Sequence, residues 1–112
     1  MNWIPLCSLQ QLDEILTTPG PVLLFKHSTR CSISHVALER LNRSSLSDLA
    51  TSYLLDLLSY RDISNAIASR LEVHHESPQV LLIKQGECVY DESHLSIAEE
   101  EIEEELKKIN TL

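Results

Sequence analysis

The chain reads as an α/β protein, a three-layer α/β/α sandwich in the order βαβαβαββα around a mixed five-stranded sheet. Three observations predict it. Two runs, Val22–Lys26 (VLLFK) and Val80–Lys84 (VLLIK), have the length and apolar continuity of strands covered on both faces. The segments between strand-like runs carry apolar residues at helical spacing, bounded by caps and breakers. Gln85-Gly86-Glu87 is a hairpin turn with a glycine free to take positive φ. Strands linked through helices are parallel with right-handed crossovers, and the hairpin adds antiparallel strands.

The elements follow in order. Trp3–Cys7 is a short apolar strand, and Pro5 suits an edge position because proline has no N–H for a ladder. Ser8 opens a capping box with Gln11, and Leu9, Leu12, Ile15 and Leu16 place a helix over 9–17. Thr17-Thr18-Pro19-Gly20-Pro21 ends it. After the strand at Val22–Lys26, His27–Arg30 forms a turn. From Cys31 the positions Ile33, Val36, Ala37, Leu38 and Leu41 give a helix ending near Asn42. Ser44–Ser52 is looser. Tyr53–Leu58 is a third strand, Asp62–Leu71 a third helix, and Glu72–Ser77 a polar connection reaching Pro78. Val80–Lys84 and Cys88–Tyr90 make the terminal hairpin, the latter at an edge. Ser96-Ile97-Ala98-Glu99 reads as a second capping box for a helix through about Lys108, acidic early and basic at its end, as the helix dipole favours.

At 112 residues the chain makes a single domain over 1–112, long enough for a core without staples. Seventeen acidic against nine basic residues give a net charge of -8, which argues against nucleic acid or an anionic membrane as partner. The N-terminus lacks a signal-peptide pattern, and no run approaches the roughly 20 apolar residues of a membrane span. The expected location is the cytoplasm. Three cysteines without CxxC spacing suit a reducing compartment, and no Cys/His grouping has zinc-site spacing. The adjacent His74 and His75 would point to opposite faces of a strand and read as structural or solvated.

Chemistry concentrates at Val22–Leu38 (VLLFKHSTRCSISHVAL). A cysteine at a helix start faces unpaired backbone N–H groups and the positive end of the dipole, both of which favour the reactive thiolate. Cys31 is therefore the candidate nucleophile, with Arg30 beside it as charge partner. His27, Thr29 and Arg30 are candidates to stabilise the thiolate or guide an anionic substrate, and Arg61 is a weaker one. Ser34, at i+3, stands where a dithiol protein carries its second cysteine. It reads either as a first-turn residue satisfying backbone N–H groups or as thiolate support. C-S-I-S cannot close a local disulfide, so an outside thiol must release the sulfur. Cys7 and Cys88 read most simply as packed strand cysteines.

The element order, the cysteine opening the second helix and the proline before the fourth strand together resemble the thioredoxin fold. FKHSTRCSIS (Phe25–Ser34), HESPQVLLIKQGE (His75–Glu87) and SHLSI (Ser93–Ile97) narrow this, because they are similar to the monothiol bacilliredoxin family. The resemblance implies a cis Pro78 beside Cys31, with Ser77 pairing its backbone with substrate. It implies that the loop of Ser93, His94 and Ser96, at a helix N-terminus suited to an anion, meets the carboxylate end of the small thiol, while Ser96 by itself reads as a plain helix cap. It further implies a monothiol oxidoreductase that removes bacillithiol, a thiol with a malate-derived acidic group, from client proteins. A second thiol or a partner reductase would restore it, with bacillithiol as co-substrate and no metal or prosthetic group. The family's usual motif has proline after the cysteine. Ser32 here forgoes the pre-set first-turn φ but adds a hydroxyl and an N–H near the sulfur. Two alternatives stay open: a monothiol enzyme using another small thiol, and a non-catalytic binding or thiol-sensing module of the same fold.

Overall fold

The structure, a computed structural model, describes residues 1–110. Its elements are β1 (Trp3–Pro5), α1 (Leu9–Thr17), β2 (Val22–His27), α2 (Ser32–Asn42), β3 (Thr51–Asp56), α3 (Arg61–Leu71), β4 (Gln79–Lys84), β5 (Glu87–Ser93) and α4 (Glu99–Asn110). Short 3-10 turns lie at Leu46–Asp48 and His94–Ser96. One sheet takes the order β1-β3-β2-β4-β5, with β3 parallel to β1 and β2, and β4 antiparallel to β2 and β5. The expected βαβαβαββα order is present, with Pro5 on one edge strand and Cys88 on the other.

Alternation along the two central strands divides the core. Val22 and Leu24 of β2, with Leu81 and Ile83 of β4, pack under Leu12 and Ile15 of α1 and Ile63 and Ile67 of α3. Leu23, Phe25, Val80 and Leu82 face the opposite way, against Ala37 and Leu41 of α2 and Ile102 and Leu106 of α4. Leu23, Leu24 and Phe25 are completely buried, each contributing about 1.5–3 kcal/mol through removal from water. The continuous apolar run is the mark of this two-sided burial.

The ends of elements depart from the sequence reading where tertiary partners decide them. Ser8 caps α1 by accepting from the Gln11 N–H, but the Gln11 side chain reaches back to the Cys7 N–H and the Pro5 carbonyl. Strand β3 begins at Thr51 and stops at Asp56, because its parallel register with β2 runs from Val22 to His27. Strand β5 extends to Ser93, paired through Gln79 of β4. The expected capping box at Ser96 is not used: Ser96 closes the 3-10 turn and α4 starts at Glu99. At the hairpin, Gln85 and Gly86 both take positive φ, and a Cβ on Gly86 would lie 2.7 Å from the Leu16 carbonyl oxygen. No helix among the described residues is long and apolar enough to cross a membrane.

Candidate active site

Cys31 is the N-cap of α2, with extended backbone (φ −110°, ψ 120°) and partial exposure. It follows the carboxyl end of β2, the end at which open α/β sheets place their sites. Its N–H donates to the Ser28 carbonyl at 3.2 Å and its carbonyl accepts from the His35 N–H at 3.1 Å. The side chain makes no capping hydrogen bond. Ser32, Thr29 and Arg30 are exposed around it.

Behind the cysteine lies a buried polar network. Ser34 has no exposed surface, and its Oγ accepts from the Ser28 N–H at 3.0 Å and lies 2.7 Å from His27 Nδ1. The hydroxyl thus satisfies backbone of the loop that presents Cys31, the first of the two readings its position allows. His27 is the last residue of β2 rather than part of the turn, and strand alternation turns its buried ring toward α2. That places it behind the site, not on a substrate-binding surface. Its ring stacks on Phe25 and meets His35 edge-on at 4.9 Å. Burial first, then the neighbouring His35, push its pKa below the usual histidine value against the opposing Asp56, so the ring is neutral at neutral pH. His35 Nε2 lies 2.9 Å from the Thr29 carbonyl, which can only accept, so the proton sits on that nitrogen. Ser34→Ala leaves the Ser28 N–H and the His27 ring unpaired. A loss of about 1–3 kcal/mol in unfolding free energy is expected by chemical denaturation, against less than about 0.5 kcal/mol for Ser32→Ala at the exposed neighbour.

The Ser77–Pro78 peptide is cis, and Pro78 is buried. The loop before it is tied on several sides. The Gln79 side chain donates to the His74 carbonyl at 3.0 Å. Glu76 Oε2 lies 3.1 Å from His94 Nε2, and Glu76 Oε1 lies 3.7 Å from His74. His94 adopts positive φ (56°), and its N–H donates to the Pro78 carbonyl at 3.0 Å. The cis-proline loop and the 3-10 turn are thereby joined. Ser93 belongs to β5 instead of the connecting loop, and its N–H is satisfied by the Glu92 carboxylate at 3.0 Å.

Three residues escaped the sequence reading. Lys26 closes the apolar run of β2 and is fully buried, its Nζ 3.2 Å from both the Ser64 carbonyl and His75 Nδ1. Burial lowers its pKa to about 8. A lysine inside a strand expected to be covered on both faces was the available signal. His75 is its partner, its own pKa lowered by burial and then by the Lys26 charge. Glu76 gave no sequence signal, because its role depends on His94 from a distant element. Cys7 also differs from expectation: it lies beyond the end of β1 and is exposed. Cys88 is half-buried on β5, where burial pushes its thiol up to about 11, as fits a packed cysteine.

The fold and this site define a thioredoxin-fold redox protein with one cysteine at its second helix. A solved candidate oxidoreductase with a thioredoxin fold is similar, at TM-score 0.81 and 31% identity, covering 90% of each chain. Thioredoxin from Trypanosoma brucei brucei has TM-score 0.76 at 12% identity, covering 99% of this chain and 93% of that one. Malassezia sympodialis thioredoxin has TM-score 0.74 at 12% identity, covering 96% and 90%. The family profile of monothiol bacilliredoxin BrxC matches residues 4–102. The chain belongs to that monothiol bacilliredoxin family, and is accordingly a monothiol redox protein.

Proposed function

We propose that the protein removes bacillithiol from protein mixed disulfides by thiol–disulfide exchange at Cys31. The observation that carries this is the pairing of a partly exposed Cys31 with a buried, oxygen-bearing Ser34 at the position of a second sulfur. Such a site can open a disulfide but cannot close one of its own with that neighbour.

In the first step the Cys31 thiolate attacks the bacillithiol sulfur of the client mixed disulfide. A new S–S bond forms between Cys31 and bacillithiol, and the client sulfur leaves with the electron pair and takes up a proton. In the second, the thiolate of another bacillithiol attacks the bacillithiol sulfur on Cys31. This releases bacillithiol disulfide, for a partner reductase to reduce, and returns Cys31. Bacillithiol is the co-substrate, and no metal or prosthetic group enters either step. In this reading Ser77 and cis-Pro78 offer backbone to the substrate, His94 fixes that loop through Glu76, and Arg30 and Thr29 border the sulfur. The exposed Ile33, Val36 and Leu95, on α2 and the 3-10 turn that packs against it, suit a protein client.

Intact-mass spectrometry after mixing with a bacillithiolated client is expected to show one bacillithiol added at Cys31 and the client reduced. An unmodified Cys31 with the client unchanged would refute the proposal. The same measurement with a glutathionylated client tests the alternative small thiol: faster transfer of glutathione would assign the enzyme to that thiol instead.

A further inference from the structure

We propose that the cleft between the first turns of α3 and the loop before cis-Pro78 is a carboxylate subsite for the small thiol. The proposal rests on the reading that the co-substrate is a carboxylated thiol. The cleft has a volume of about 120 Å³ and is lined by Leu57, Arg61, Ser64, Asn65 and His75, room for a carboxylate and the carbons next to it. It adjoins the carboxyl end of β2, from which the Cys31 loop departs: the Leu57 N–H donates to the His27 carbonyl at 3.1 Å, and His75 lies three residues before the proline.

The charge arrangement points to an anion. Lys26 lies behind the lining, its Nζ 3.2 Å from the Ser64 carbonyl and 3.2 Å from His75 Nδ1. Among the described residues neither Lys26 nor Arg61 is paired with a carboxylate. Of the nearby acids, Glu76 faces His74 and His94, and Asp56 accepts from the Ser59 hydroxyl through Oδ2 while its Oδ1 is buried without a hydrogen-bond partner among the described residues. In a protein of net charge -8, Lys26 and Arg61 come together at this end of α3 with no carboxylate at ion-pair distance, although Asp62 shares the first turn. A buried ammonium ordinarily acquires a counter-charge. A ligand carboxylate entering the cleft supplies one, and the exposed Arg61 guanidinium matches its planar pair of oxygens.

The test titrates 15N-labelled full-length Cys31→Ser protein, which cannot exchange with the ligand's disulfide, with bacillithiol disulfide and, separately, with its carboxyl methyl ester. Saturable amide shifts at 61–65 and 74–77 are expected with the acid. The ester should bind about tenfold more weakly, the scale of one charge-assisted contact. Arg61→Gln should weaken the acid about tenfold and leave the ester unchanged, while Arg40→Gln, an equal charge change on the far part of α2, should do neither. Equal binding of acid and ester, an indifferent Arg61→Gln, or shifts absent from these segments would overturn the subsite. Binding as expected without turnover of a bacillithiolated client would leave the subsite standing and refute the exchange reaction alone.

Discussion

Cys31→Ser is expected to lower turnover of a bacillithiolated client by about a thousandfold or more, the usual consequence of deleting a nucleophile. The double variant Cys7→Ser/Cys88→Ser should stay within about twofold of wild type, since neither thiol has a place in the exchange. The two cysteines differ in why they are spectators. The Cys88 thiol is pushed up to about 11 by burial, so little of it is thiolate at neutral pH. Cys7 is exposed, and only its position excludes it: it follows β1 at the sheet edge, with β3 between that strand and β2. A coupled assay for client thiol release decides the matter. Substantial activity in Cys31→Ser, or a large loss in the Cys7/Cys88 double variant, would move the nucleophile elsewhere. A Cys31 that takes up no small thiol under any client would instead favour the binding-module reading.

The same residues show what a sequence can convey about this fold. Val22–Phe25 and Val80–Ile83 announce themselves because two-sided burial demands apolar residues at consecutive positions. Ser8 with Gln11, and Pro19-Gly20-Pro21, mark helix boundaries through local backbone chemistry. Strand ends were less legible, since pairing with a neighbour sets them: His27 and Ser93 become strand residues only through Asp56 and Gln79 opposite them. Ser96 shows the limit of a local rule, because a sound capping pattern was displaced when the chain took a 3-10 turn against α2. Cys31 was visible as a helix-opening thiol. Its support was not: the tie from Ser34 to His27, the Glu76–His94 bridge and the Lys26–His75 contact join residues whose only link is the folded sheet.

Lys26 is the residue whose replacement is expected to make the fold more stable. Replacing it with methionine keeps an unbranched apolar stem in the same space and deletes the buried charge. Lowering the ammonium pKa from 10.5 to about 8 corresponds to a penalty of about 3 kcal/mol for holding the charged form in the fold. The Ser64 and His75 hydrogen bonds are given up in exchange. A net gain of about 1–2 kcal/mol in unfolding free energy is therefore expected for Lys26→Met at pH 7. The sign with pH is definite. Between pH 8 and 10.5 the unfolded chain keeps a proton that the folded chain has released, so wild-type stability rises with pH across that window. Below pH 8 both states hold the proton and the penalty is complete. The advantage of Lys26→Met should therefore be full at pH 7 and shrink as pH climbs toward 10.5, measured by urea denaturation of both proteins at each pH. A constant difference would show that the buried ammonium costs nothing. Should stability rise while affinity for carboxylated thiol falls, the lysine is kept for binding at the expense of the fold, the trade expected of a residue in a working site.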